Sequence, residues 1–264
     1  MIYQFHNKAH LGDCLLQCHY LCKVAPLKLG DRFIFRCERE NVEQCQEVVQ
    51  HLPNVAIEAI KEKRSFPFKH DLESIPESFN CWINDEGLFA KSKLSSDYIA
   101  YYLSWFDRMS ELTGLPKVFT KRGDMLFDYP ALLKRTVFSD YYFDYLVVNS
   151  SPMSGQWNYK EDDMERFIGM LAKRGSVIVT QPTQVNNIPC TADYFLSSTG
   201  IGNLSMRCRN HICINTGPSW PTYNVHNIES TKFRAVLHNF TSLNFEAFSC
   251  ETFRDINSLA ARIL

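Results

Sequence analysis

The sequence has no long run of apolar residues, and its charges are nearly balanced. No stretch approaches the roughly 18 consecutive apolar residues of a membrane-spanning helix, and the N-terminal segment lacks the features of a secretory signal. There are 28 Lys and Arg against 29 Asp and Glu, for a formal net charge of −1. No overall field attracts nucleic acid or an anionic membrane. We therefore expect a soluble, cytoplasmic protein with no nucleic-acid partner, for which peripheral membrane contact stays open.

Closely spaced cysteine pairs are missing too, although the chain has ten cysteines. None forms a CxxC pair, and most lie inside apolar segments, which is typical of small core residues in a reducing compartment. Cys18, His19 and Cys22 come nearest to a zinc site, but their place in an apolar helical segment favours a core role.

Two motifs that would identify common α/β enzymes are absent. No GxGxxG follows the first predicted strand, which argues against a dehydrogenase or a methyltransferase. No Asp-x-Asp pair lies at a strand end in the second half of the chain, where Asp162 and Asp163 begin a helix instead. We therefore expect neither a metal site nor a bound cofactor.

Strand and helix patterns alternate along the chain. In the first half, strands are predicted at 3–6, 32–37 and 55–60, and helices from residue 13, at 42–52 and at 95–113, with Ser95 or Ser96 as the last cap. After a connection over 114–140, strands are predicted at 145–149, 176–180, 193–197 and 211–215, and helices at 162–173, 200–209 and 251–264. This order predicts an α/β fold of two Rossmann-like domains, residues 1–140 and 141–264, facing across a cleft.

The loop after the first strand carries a glycine and an acid at the start of a helix. Gly12 permits a tight turn, and Asp13 follows it in the first helical turn. A carboxylate in this position complements the positive helix end. At the edge of a cleft it is also able to accept the proton of an attacking hydroxyl. Position alone leaves both roles open, with the structural role favoured.

Small polar residues follow three predicted strands of the second half. The segment 197–204, Ser-Ser-Thr-Gly-Ile-Gly-Asn-Leu, runs from a strand into a helix, so hydroxyls and free amides converge at a positive helix end. A Gly217-Pro218 turn follows the next strand, with Trp220 and Tyr223 placed to flank a base or a sugar ring. The segment 149–157 forms a third polar loop. Each alone is compatible with a bare turn, but together they predict a diphosphate site at one sheet edge.

These motifs resemble those of family-nine glycosyltransferases, the ADP-heptose and lipopolysaccharide heptosyltransferase type, which have the GT-B fold. Leu11-Gly12-Asp13 is similar to the Gly-Asp loop of that family, and Ser198-Thr199-Gly200 through Leu204 is similar to its Asp-Thr-Gly donor loop. The resemblance implies a short, divergent member that transfers a sugar from a nucleotide-diphosphate sugar to a glycan hydroxyl. It also implies an inverting, metal-independent reaction.

The resemblance assigns roles to individual positions of this chain. It implies Asp13 as the catalytic base, and we expect His10 and Gly12 to face the acceptor. The expected donor-binding residues are Asn149, Ser150, Ser151, Gln156, Ser198, Thr199, Gly200, Ile201, Gly202, Asn203, Gly217 and Pro218.

Three positions depart from the family pattern. Ser198 replaces an aspartate, Asn203 a histidine, and Gln156 a lysine that contacts the donor phosphate. A neutral bond therefore replaces a charge-assisted one. These departures keep open a second hypothesis, a catalytically silent nucleotide- or carbohydrate-binding protein on the same fold.

Overall fold

The computed structural model describes residues 1–8, 10–60, 78–81, 97–152, 157–239 and 243–263. Within these ranges it contains two separate β-sheets, and every strand pair in both is parallel. In both sheets, α-helices join some of the consecutive strands, as is usual for parallel pairing. The α/β fold with two parallel sheets that the sequence predicts is confirmed.

The first sheet has the order β3-β2-β1-β4. Its strands are β1 (Ile2–Asn7), β2 (Arg32–Cys37), β3 (Val55–Ala59) and β4 (Phe79–Asn80). Phe5, Phe33 and Phe35 are fully buried, which fixes the register because a one-residue slip would expose them. Helix α1 (Leu11–Val24) joins β1 to β2, and α2 (Val42–Val49) joins β2 to β3.

Helix α3 (Tyr98–Thr113) carries the aromatic-rich segment of the first half. Asp97 caps it, since its carboxylate accepts the backbone amides of Ile99 and Ala100 at 3.1 and 3.0 Å. The expectation of Ser95 or Ser96 as cap is therefore wrong. The helix ends at Gly114, which adopts a positive φ of 69°.

The second sheet has the order β6-β5-β7-β8-β9. Its strands are β5 (Phe143–Val148), β6 (Val177–Val179), β7 (Cys208–Ile214), β8 (Phe233–Leu237) and β9 (Glu251–Phe253). Its helices are α4 (Glu161–Ala172), α5 (Ser198–Ser205) and α6 (Ile256–Ile263). Helix α4 joins β5 to β6, and α5 joins β6 to β7. Strands β8 and β9 extend the sheet beyond what the sequence pattern predicts.

Two predicted elements of the second half are wrong. The strand expected at 193–197 is a 3-10 helix (Thr191–Tyr194), followed by Phe195 in a left-handed conformation with φ 53°. Phe195 is 94% exposed, so the apolar spacing there does not mark a buried strand face. The helix expected at 251–264 begins only at Ile256, because the main chain of 251–253 pairs with β8 as an edge strand.

The helix predicted at 200–209 has different ends. Helix α5 begins two residues earlier, at Ser198, where the side chain of Ser197 caps it by accepting the amide of Gly200. It ends at Ser205, because Cys208 and Arg209 already belong to β7. The whole helix is buried, unlike a helix on the outside of a domain.

The largest hydrophobic cluster crosses from one half of the sequence to the other. Trp220, Tyr223 and Phe245 pack into the same cluster as Tyr20 and Tyr102. Two smaller clusters are formed by residues of the second half, with Phe138 added to one of them. The domain boundary near residue 140 stays a prediction, and the halves on its two sides share a core.

The ten cysteines are all buried and free, in agreement with the expected core role. Cys18, His19 and Cys22 lie inside the first core cluster or its wall. Within the described ranges, no three His, Cys, Asp or Glu side chains are grouped so that they could hold a metal ion. Over those same ranges, no helix has the length and apolar character needed to cross a membrane.

Candidate active site

Asp13 lies in the first turn of α1, just beyond the carboxyl end of β1. The backbone amides of Asp13 and Cys14 both donate to the carbonyl of His10, at 3.1 and 3.2 Å, and so begin the helix. His10 is the N-cap residue but makes no side-chain cap bond. Asp13 as a whole residue is partly accessible to solvent. Its carboxylate lies at a positive helix end.

Burial raises the pKa of the Asp13 carboxyl to about 6, from an ordinary value of 3.8. The hydrogen bond from Tyr102 and backbone hydrogen bonds at His10 and Asp13 act in the opposite direction, because they favour the ionised form. The result is a carboxyl that is mostly ionised at neutral pH and more basic than an exposed aspartate. Such a pKa suits a general base that works near pH 7.

The start of α1 packs directly against the Gly217-Pro218 turn of the second half. This turn opens a 3-10 helix (Gly217–Thr222) after β7. A Cβ at Gly12 would lie 2.8 Å from the Trp220 indole, and one at Gly217 would lie 2.9 Å from Cβ of Leu11. Both glycines therefore permit a close approach between the halves. The structure brings together Asp13 and one of the three predicted donor segments.

Aromatic side chains from both halves surround Asp13. The Tyr102 hydroxyl donates to Oδ1 of Asp13 at 3.0 Å. The ring of Tyr98, one helical turn earlier in α3, lies 6.3 Å from the Trp220 ring in a stacked arrangement and 5.7 Å from the ring of His238. His238 directly follows β8, and burial lowers its pKa to about 4, so the imidazole is neutral at pH 7.

The predicted donor loop around Ser198 forms the start of α5, and protein groups already use most of its polar atoms. The Ser198 amide donates to Oε1 of Gln44, on α2, at 3.0 Å. The hydroxyls of Thr199 and Tyr129 are 3.1 Å apart. The side-chain amide of Asn203 donates to the carbonyl of Leu132 at 2.6 Å.

The glycines of this segment also serve packing. A Cβ at Gly202 would lie 2.7 Å from side-chain atoms of Leu132 and Pro221, and one at Gly200 would lie 3.1 Å from Leu196. Ile201 is buried between them and belongs to a core cluster. The donor-binding role of residues 198–203 stays a prediction, and it requires Gln44 to release the end of the helix.

The third predicted donor segment follows β5. The side-chain oxygen Oδ1 of Asn149 accepts the backbone amides of Thr180 and Gln181 at 3.1 and 2.9 Å, and Nδ2 of the same side chain donates to the backbone carbonyl of Gln181. Asn149 thus joins the ends of β5 and β6. The Ser150 hydroxyl is buried and has no hydrogen-bond partner within the described residues. Ser151 is exposed, and Gln156 lies outside the described residues.

Sequence reasoning did not identify Tyr98, Tyr102 or His238 as site residues. Tyr98 and Tyr102 have the i, i+4 spacing that places both on one face of a helix, but that spacing says nothing about what the face contacts. His238 follows a strand that the sequence analysis missed. Polar side chains that follow successive parallel strands indicate a ligand site. This signal would have identified His238 if strand β8 had been predicted.

No protein-family profile and no curated protein matches the chain in sequence. Solved structures do match it over nearly its whole length. The E. coli heptosyltransferase WaaC with ADP matches at a TM-score of 0.58 and 10% identity, over 97% of this chain and 91% of that chain. The same heptosyltransferase with ADP-2-deoxy-2-fluoro heptose gives a TM-score of 0.58 at 11% identity, over 97% and 94% of the two chains.

A family 9 glycosyltransferase from Veillonella parvula matches at a TM-score of 0.54 and 9% identity, over 98% of this chain and 87% of that chain. Identities this low establish the fold alone. The low identity agrees with the departures of its motifs from the family pattern. The chain has the two-sheet, GT-B-like fold of family-nine glycosyltransferases.

Proposed function

We propose that this chain is a glycosyltransferase that moves a sugar from a nucleotide-diphosphate donor to a hydroxyl of a glycan acceptor, with Asp13 as the general base. The observation that carries the proposal is the Asp13 carboxylate. Burial raises its pKa to about 6, and it belongs to a partly exposed residue at the point where the two halves meet. The E. coli heptosyltransferase with the same fold was solved with ADP and with a fluorinated ADP-heptose.

In the proposed reaction, an acceptor hydroxyl loses its proton to Asp13 as its oxygen attacks the anomeric carbon of the donor sugar. The bond from that carbon to the diphosphate breaks on the opposite face, so the configuration inverts. The proton ends on Asp13, and the electron pair leaves with the nucleoside diphosphate. General base catalysis of this kind contributes roughly 10²- to 10⁴-fold to the rate.

We place the donor diphosphate at the carboxyl edge of the second sheet, beside the Gly217-Pro218 turn. The buried Ser150 hydroxyl is a donor without a partner among the described residues, and Gly217 and Pro218 are half-buried. Ligands of parallel α/β sheets bind at this edge. His10 and Gly12 remain the proposed acceptor side. The sequence has no Asp-x-Asp pair at this edge, which supports a metal-independent transfer.

Asp13→Asn tests this function, because asparagine keeps the shape of the side chain and cannot take the proton. We expect the wild-type protein to transfer labelled sugar from a nucleotide-diphosphate donor. The donor is first selected from ADP, UDP, GDP and CDP by calorimetric titration. The variant should keep the affinity for the diphosphate and lose transfer by about 10²-fold or more. Transfer by Asp13→Asn at the wild-type rate would remove Asp13 from the mechanism.

One observation favours the alternative function, a silent nucleotide- or carbohydrate-binding protein. Gln44 occupies the Ser198 amide, so one of the amides expected to bind the donor diphosphate is already satisfied. The same experiment distinguishes the two functions. Diphosphate binding without donor hydrolysis or transfer, in the presence of glycan acceptors, supports the silent protein.

A further inference from the structure

The Tyr102 side chain is fixed before any ligand binds. It is 2% exposed, in α3 of the first half, and its ring meets the Trp220 ring edge-on at 5.5 Å. Its hydroxyl is 3.0 Å from Oδ1 of Asp13, which lies 89 residues earlier in the sequence. Two helices and one turn of the second half therefore determine where this hydroxyl points.

The hydrogen of the Tyr102 hydroxyl goes to Asp13. A phenol carries one hydrogen, and burial raises the pKa of Tyr102 well above 10, so that hydrogen is retained at working pH. The Tyr98 hydroxyl is 3.5 Å from the Tyr102 oxygen. Tyr102 is placed to donate to either oxygen, and its single hydrogen goes to the nearer and charged acceptor, Oδ1 of Asp13.

Titratable groups approach Asp13 from several sides. His10 lies on its own segment, Tyr98, Tyr101 and Tyr102 lie on α3, and neutral His238 lies behind Tyr98. The adjacent turn of the second half contributes Trp220, which does not titrate. The direct side-chain hydrogen bond that favours the ionised carboxylate comes from Tyr102.

We infer that Tyr102 is a positioning residue, which keeps the Asp13 carboxylate ionised and aims its second oxygen at the acceptor. This inference rests on the proposed function for its catalytic meaning. Because Tyr102 holds Oδ1, we assign Oδ2 as the oxygen that takes the proton of the acceptor. The Tyr98 ring packs edge-on against the Tyr102 ring at 5.0 Å and so helps to hold it in place.

The test is the titration of the Asp13 carboxyl in the intact protein by carbon NMR, with Asp13→Asn to identify the signal. Tyr102→Phe removes the donor, so we expect the Asp13 pKa to rise by about one to two units. Tyr98→Phe keeps the ring that packs on Tyr102 and leaves the bond from Tyr102 to Asp13 in place, so it should change the Asp13 pKa by less. Tyr20→Phe is the matched control, because it removes a buried hydroxyl that contacts Ser110 instead. An unchanged Asp13 pKa in Tyr102→Phe overturns the inference, whether or not the protein transfers sugar.

The pH profile of sugar transfer gives the second readout. In Tyr102→Phe the acid limb should move to higher pH, with a loss of about three-fold or more at pH 6.5 and recovery near pH 9. An equal loss at every pH would indicate a merely structural role for Tyr102 and would contradict the inference. If the wild type transfers no sugar while the Asp13 pKa still responds to Tyr102→Phe, the proposed function fails and the positioning role stands.

Discussion

At the scale of single residues, two effects act in opposite directions on the pKa of Asp13. Burial disfavours its negative charge, while Tyr102 and nearby amides favour it. The balance leaves a carboxyl that ionises about two pH units later than an exposed aspartate. Because the ionised carboxylate is disfavoured by burial, we expect Asp13 to lower the free energy of unfolding at neutral pH, as functional residues often do.

The sign of that effect follows from linkage. Because the folded-state pKa of Asp13 is raised, its contribution to stability is fully present below about pH 4 and is lost as pH rises through about 6. We therefore expect Asp13→Asn to leave the free energy of unfolding nearly unchanged at pH 4 and to increase it at pH 8. The expected increase is about 1–3 kcal/mol. Urea denaturation at the two pH values measures it, and a variant no more stable than wild type at pH 8 would contradict this account of Asp13.

Gly12 is constrained by what lies opposite it. A methyl group there would be 2.8 Å from the Trp220 indole, which is too close to fit without movement. We expect Gly12→Ala to lower the free energy of unfolding by about 1–3 kcal/mol. Gly30→Ala is the matched control, since a Cβ there meets nothing within 4 Å. Equal stability of the two variants in chemical denaturation would show that the halves do not pack closely at this point.

Local pattern was sufficient to identify Asp13 and the Gly217-Pro218 turn as neighbours of sheet edges, but not Tyr102. The bond from Tyr102 to Asp13 joins positions 89 residues apart. It depends on which face of α3 packs on α1, and periodicity along one helix does not determine that.

At the scale of secondary-structure elements, β2 has the predicted bounds and β1 and β3 lie within two residues of them, because buried strands carry their signal in their own residues. The expected strand at 193–197 is wrong, because Tyr194 and Phe195 are exposed and do not form a buried strand face. Strand β9 was missed because it is an edge strand that exists through pairing with β8. Such elements form through contacts with neighbouring strands, and the local sequence pattern does not indicate those contacts.

A buried arginine on strand β8 makes hydrogen bonds to the end of the 3-10 helix and to the residues that follow it. Arg234 is 2% exposed, donates to the carbonyl of Thr222 at 2.7 Å and to Asn227 at 3.2 Å, and lies 4.2 Å above the Phe248 ring. Arg234→Ala removes these bonds and leaves a cavity beside Phe248. We expect a loss of about 2–4 kcal/mol of stability.

Arg135→Ala is the comparison for this prediction. Its guanidinium is 77% exposed and pairs with an equally exposed Asp140, so its loss should change stability by less than about 0.5 kcal/mol. Thermal and urea denaturation measure both variants. An Arg234→Ala protein as stable as Arg135→Ala would show that the buried guanidinium is not needed to hold this segment on the sheet.

At the scale of the whole molecule, two sheets share one large core. The cluster that contains Tyr20 and Tyr102 also contains Trp220, Tyr223 and Phe245, so each half buries part of its apolar surface against the other. We expect a single cooperative unfolding transition. Coincident urea curves from tryptophan fluorescence and far-UV circular dichroism would agree with it, whereas two separate transitions would show that the halves fold independently.

The sequence predicted the overall α/β architecture because the alternation of strands and helices is a local property repeated along the chain. It did not predict that Gln44 of α2 would cover the start of α5, since that contact joins the two halves of the fold. Interactions between the halves therefore decide how much of the predicted donor site is free.

A crystal structure of the protein soaked with its preferred nucleotide-diphosphate sugar tests the central claim most directly. We predict that the diphosphate lies beside the Gly217-Pro218 turn and Ser150, and that the anomeric carbon faces the free oxygen of Asp13 with room for one hydroxyl between them. Donor density remote from this edge, or an Asp13 carboxylate turned away from the sugar, would contradict the account.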